Sequence, residues 1–206
     1  DQAVESVPYP QARGALVRST VVVVDLETGR RVELDLGTDE HYVSLGGFRP
    51  TDGRLWVLRM TRDHRRTDLL LADPVSGATE LLLTERSPTW LYGSEDVFAE
   101  ARFFTPLPDG RFVWASERDG WNNLYLYGAN GRLERALTGG SSPVVRVVHV
   151  APRKGVLYYT ARSDPERPYD VHLMRVRLDG TGRRQLTREP GVHEVRAVVG
   201  EGAAAR

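Results

Sequence analysis

Apolar and polar residues alternate along this chain with period two, in short runs broken by glycine-bearing turns, and no sustained i, i+3, i+4 stripe appears. The pattern predicts strands and excludes helical repeats. The clearest stretch is Phe112–Thr138, FVWASERDGWNNLYLYGANGRLERALT. Phe112–Ser116 and Asn123–Tyr127, rich in aromatic and β-branched residues, read as two strands. Arg118-Asp119-Gly120 between them is a hairpin signal, because Asp-Gly tolerates positive φ. Ala129-Asn130-Gly131 turns the chain again before a third strand within Leu133–Thr138.

The unit repeats. A glycine turn followed by a short strand occurs at Asp25–Gly29 before RRVELDL, Asp73–Gly77 before ATELLLT, Gly128–Gly131 before RLERALT, and Leu178–Gly182 before RRQLT. The turn glycines Gly29, Gly77, Gly131 and Gly182 are 48, 54 and 51 residues apart, and three copies end on Thr84, Thr138 and Thr187. A second turn, at Pro50–Arg54, Pro108–Arg111 and Pro152–Gly155, precedes the hydrophobic strands LWVLRM, FVWAS and VLYYTA. A period of about 50 with four strands per unit belongs to propeller blades. The expected fold is therefore all-β: a partial β-propeller of about four four-stranded antiparallel blades. The units fall roughly at 9–40, 41–88, 100–140 and 143–189 of one domain fragment spanning 1–206. The tail 190–206 is expected to be an edge strand or poorly ordered. Two stretches exceed what a blade needs: TERSPTWLYGSEDVFAEAR between Leu83 and Phe103, and the polar loop Ser163–Pro168.

Composition narrows the chemistry more than the fold. Of 206 residues, 28 are Lys or Arg and 28 are Asp or Glu, so no basic field points to nucleic acid. Runs such as Val21–Val24 and Leu69–Ala72 are too short to cross a bilayer, and DQAVESVPYP lacks a signal-peptide pattern. There is no cysteine, which excludes disulfides, thiolate nucleophiles and Cys-ligated metals. The cations are all Arg apart from Lys154, a bias that fits a GC-rich bacterial genome. For the compartment, periplasmic or secreted is favoured over cytoplasmic.

No catalytic centre is expected. GxSxG, HExxH, P-loop and helix-opening GxGxxG motifs are all missing from the sequence. His41, His64, His149, His172 and His193 lack metal-like spacing, so no metal and no cofactor is expected. Asp25, Asp52, Asp73, Asp109, Asp119 and Asp179 read as turn residues that accept a backbone N–H two positions on. Glu117-Arg118-Asp119 reads as ion pairing and capping within its hairpin. Trp114, Trp121, Tyr125 and Tyr127 read as packing between blades. Glu95 and Asp96, beside Trp90 and Tyr92 in the long connection, are suited to receive a cation such as a peptide amino terminus; the alternative is a solvated loop. Tyr92, Glu95 and Asp96 are the candidate substrate-binding residues.

FVWASERDGWNNLYLY followed by GRLERALTGG resembles the propeller domain of the dipeptidyl peptidase IV family, in the prolyl oligopeptidase clan of serine peptidases. In that family Ser-Glu-Arg-Asp-Gly leads to His-Leu-Tyr-Leu-Tyr; here Asn123 stands in place of the His. Colinear pieces are Tyr9-Pro10 before VVVVDLETG, RTDLLLADPVSGATELLLTE before Trp90, and HLMRVRLDGTGRRQLTREPGVHEV, so the resemblance spans nearly all of 9–195. It implies an eight-bladed parent propeller joined in cis to an α/β-hydrolase domain whose Ser, Asp and His triad lies outside this chain. It also implies that the propeller restricts entry to oligopeptides, and that a paired-Glu motif for the substrate amino terminus lies upstream of Tyr9-Pro10. The chain is then expected to gate and orient peptides without cleaving them. The alternative is a TolB-like non-enzymatic propeller that binds a protein partner. A part-propeller leaves sheet flanks uncovered, so the fragment is expected to self-associate.

Overall fold

A computed structural model of the chain describes residues 18–39, 41–91 and 104–197. Strands β1 (Val22–Val24) and β2 (Arg31–Glu33) form a two-stranded sheet. Strands β3 (His41–Phe48), β4 (Leu55–Thr61), β5 (Arg66–Ala72) and β6 (Thr79–Arg86) form the first complete blade. The second holds β7 (Phe104–Pro106), β8 (Phe112–Ser116), β9 (Asn123–Tyr127) and β10 (Leu133–Ala136). The third holds β11 (Val144–Ala151), β12 (Val156–Ala161), β13 (His172–Arg177) and β14 (Arg184–Gln185). Every strand pair within these sheets is antiparallel and sequential. The all-β, open part-propeller architecture read from the period is what forms. The first unit contributes two strands among the described residues, and the other three contribute four each. Beyond β14 no strand is found as far as residue 197, and the tail is tied back by a parallel bridge, Val171 to Val192, and by the Arg146 guanidinium donating to Val195 O.

Middle strands are buried on both faces, which is why their sequences run apolar without alternation. On β4, Trp56, Leu58 and Met60 face the core shared with the following blades, while Leu55 and Val57 face a second core against the first sheet. On β5 the same division puts Leu69 and Leu71 on one side and Leu70 and Ala72 on the other. The main core contains an aromatic chain across two blades. Trp56 meets Phe104 at 5.3 Å and Phe112 at 5.6 Å edge-on, and Phe112 stacks on Tyr127 at 5.2 Å. Such edge and stacked pairs add to area burial by about 1 kcal/mol each. Gly46 on β3 lies under this cluster, where a Cβ would come within 2.9 Å of Trp56 Cβ.

Neighbouring sheets are keyed at one end by the β5–β6, β9–β10 and β13–β14 turns, each seated on the outermost strand of the preceding sheet. A Cβ on Gly77 would collide with Glu33 O, and one on Gly131 with Leu82 O; Gly180 sits 3.2 Å from Ala136 O by the same measure. Both Gly77 (φ 80°) and Gly131 (φ 75°) also hold a backbone conformation that side chains disfavour. Arginine bonds reinforce the seats: Arg30 Nη2 donates to Val75 O at 2.7 Å and Arg135 Nη1 to Asp179 O at 3.2 Å.

Candidate functional site

A meander sends alternate connections to opposite ends of each sheet. The β3–β4, β5–β6, β7–β8, β9–β10, β11–β12 and β13–β14 connections are tight turns at one end. Five of the six Asp singled out as turn residues do there what their chemistry dictates. Asp25, Asp52, Asp73, Asp109 and Asp179 each accept from the backbone N–H two positions on. Asp73 is held below the ordinary carboxyl range by the Ser76 and Val75 N–H groups. Asp119 departs from the pattern: its carboxylate accepts the Tyr125 hydroxyl at 2.5 Å.

At the opposite end lie the β4–β5 turn, the β8–β9 turn, the Ser163–Pro168 loop and the connection that leaves β6. This end carries a cleft of about 330 Å³ between β6 and the β8–β9 hairpin, bordered by Thr67, Glu85, Pro88, Leu91, Trp114 and Glu117. One wall is pinned to the β4–β5 turn. Leu91 N donates to His64 O, Ser87 N donates to Arg65 O, and the Trp90 ring stacks on His64 at 4.0 Å with 11° between planes. His64 makes this turn at φ 56°, the one positive φ outside glycine among the described residues. Tyr42 tilts against His64 at 5.2 Å and carries the Arg62 guanidinium 4.3 Å above its ring.

The other wall is the SERDG turn, and here the expected pairing within the hairpin is not what forms. Arg118 reaches across to the preceding blade and meets Glu85 at 3.2 Å; Ser116 Oγ donates to the same carboxylate at 2.5 Å and accepts from Arg118 Nε at 2.9 Å. The Arg118 guanidinium lies 4.3 Å over the Tyr125 ring, so an aromatic shelf that packs between blades also carries a cation. Burial, then the charge and hydrogen bond of Asp119, push the Tyr125 phenol well above its usual range. Trp114, Tyr125 and Tyr127 are buried between blades as expected, whereas Trp121 is 47% exposed. Glu117 makes no ion pair or side-chain hydrogen bond among the described residues, and partial burial raises its carboxyl above the ordinary value.

Tyr92, Glu95 and Asp96 lie outside the described residues; their connection leaves this wall directly after Leu91. Among the described residues no three His, Asp or Glu gather as metal ligands, and no helix is long and apolar enough to cross a membrane. His172 is buried at the start of β13, its ring 3.4 Å from Thr187 Oγ1 and 5.4 Å from His193.

The chain is similar in fold to a crystal structure of Porphyromonas gingivalis dipeptidyl peptidase 4. That match has a TM-score of 0.73 and 19% identity, and covers 84% of this chain and 24% of the other. It is also similar to a Bacteroides ovatus ATCC 8483 protein assigned as a dipeptidyl aminopeptidase IV, with a TM-score of 0.69 and 21% identity over 85% of this chain and 27% of that one. The chain thus spans about a quarter of the length of either protein. The family described as the dipeptidyl peptidase IV N-terminal region matches residues 1–203, and the chain belongs to it.

Proposed function

We propose that this chain is the propeller portion of a dipeptidyl-peptidase-IV-like serine exopeptidase, and that it gates and orients oligopeptides for an α/β-hydrolase domain carried elsewhere in the same protein. The observation that supports this most is the family match over 1–203 in a sequence that has no GxSxG nucleophile motif of its own. The chain contributes no catalytic residue and uses no metal or cofactor. Its part is steric and electrostatic: a rigid stack of sheets excludes folded proteins, and one end presents polar connections to the peptide. In this reading Glu95 and Asp96 contribute to receiving the substrate's amino terminus, with Tyr92 as an aromatic wall.

The test compares the full-length protein with the 206-residue chain on a Gly-Pro chromogenic substrate. Hydrolysis is expected from the former alone; an active isolated chain refutes the reading. In the full-length enzyme, Glu95→Gln with Asp96→Asn is expected to raise KM about tenfold for substrates with a free amino terminus, at nearly constant kcat. An unchanged KM removes these residues from the site.

A further inference from the structure

We propose that the cleft between β6 and the β8–β9 hairpin is a subsite for a cation on an aliphatic stem, the lysine or arginine side chain of a peptide, with Glu117 as its counter-ion. The proposal rests on the peptide-orienting reading and adds a side-chain preference to it. Four observations carry it. First, the volume, about 330 Å³, suits one long side chain with its backbone outside. Second, the walls are mixed: Pro88 and Leu91 offer accessible apolar surface to methylene groups, as a snorkelling basic side chain requires. Third, the two carboxylates of the cleft are not equally paired. Glu85 is satisfied by Arg118 and Ser116, which leaves Glu117 as the cleft's carboxylate with no ion pair among the described residues. Arg86 also borders the cleft, but it follows Glu85 on a strand where successive side chains take opposite faces. Its cross-strand partner Arg66 is engaged with Asp68, and Asp68 also binds Arg59, whose Nη1 donates to Leu36 O beside the first sheet. Alternation along β6 therefore directs the Arg86 side chain toward that face. Fourth, the Glu117 side chain is exposed and makes no side-chain hydrogen bond or ion pair among the described residues, so its carboxylate is open to an arriving cation.

Because the same cation chemistry can come from a peptide amino terminus, the probes separate the two. Calorimetric titration of the full-length protein is made with N-acetyl-Ala-Lys-Ala-amide, N-acetyl-Ala-norleucine-Ala-amide and Ala-norleucine-Ala-amide. The proposal expects the lysine peptide to bind at least tenfold more tightly than the acetylated norleucine peptide, and Glu117→Gln to abolish that difference while Glu117→Asp keeps part of it. Equal binding of the two acetylated peptides, or a preference that survives Glu117→Gln, overturns it. A preference confined to the free-amine peptide and lost in Glu117→Gln also overturns it, since it assigns the cleft to the amino terminus. Glu117 is exposed and its side chain supports no contact, so both variants are expected to melt with the parent chain. The readout needs no hydrolysis, and failure here leaves the Gly-Pro test of the broader reading standing.

Discussion

One residue position recurs in every complete blade. Asp68, Asn123 and His172 each precede a leucine on the third strand of their sheet, and each faces a threonine near the end of the fourth: Thr84 at 2.7 Å, Thr138 at 2.9 Å and Thr187 at 3.4 Å. In two blades the same hydroxyl also accepts the leucine N–H, from Leu124 and Leu173, both at 2.9 Å. The threonine is thus a clasp that tolerates three chemistries opposite it. Asn123→His, which restores the residue the resemblance leads one to expect, should change stability by less than about 1 kcal/mol in urea unfolding, because His172 already occupies the equivalent place. Thr138→Val should cost about 2 kcal/mol, since it leaves a buried N–H and an amide oxygen unmatched. Asp68 is the demanding case. Although burial opposes its charge, hydrogen bonds from Arg66, Thr84 and Arg59 hold its carboxyl below the ordinary range. The folded-state value is depressed, so the stabilisation is present above the unfolded value of about 3.9 and is lost as pH falls below it. Asp68→Asn should therefore cost about 2 kcal/mol near neutral pH, with a deficit that shrinks when unfolding is repeated near pH 3.

Strands were legible from the chain wherever both faces are covered or a turn carries glycine. Phe112–Ser116 and Asn123–Tyr127 form with the bounds the pattern implies, because aromatic pairs such as Phe112–Tyr127 reward that register. What local pattern does not reveal is which element a side chain crosses to. Arg118 lies between two acids in sequence, yet its partner is Glu85, 33 residues away on the neighbouring blade. Likewise the β13–β14 turn holds two positive-φ glycines, and Gly180, not Gly182, is the one that seats on the preceding sheet. Seating has a measurable signature. Gly131→Ala must both strain φ and push against Leu82 O, and should cost about 3 kcal/mol or more. Gly29→Ala, at a similar φ with nothing within 4 Å, should cost only about 1 kcal/mol. Equal losses in thermal unfolding of the two variants would show that backbone strain alone sets the cost.

As a molecule, the chain is a row of sheets held by keyed turns at one end and by ion pairs and aromatic shelves at the other. Leu45 and Phe48 on β3 and Val22 and Val24 on β1 stay exposed, and the first sheet has two strands. We infer from these surfaces that the isolated chain self-associates, and sedimentation at micromolar concentration should find dimers or larger species; a clean monomer would contradict this. The two ends also differ in how freely the polypeptide can be lengthened. At the keyed end a turn such as Gly128–Gly131 has no slack, since it rests on the backbone of the preceding sheet. At the other end the stretch from Ser163 to Pro168 spans β12 and β13 with an exposed polar crest. A tag of about ten residues spliced after Asp164 should leave the melting temperature nearly unchanged, and the same tag spliced after Asn130 should not be accommodated. Diversification by loop growth thus has one side of this scaffold open to it, and that side is the one that carries the cleft.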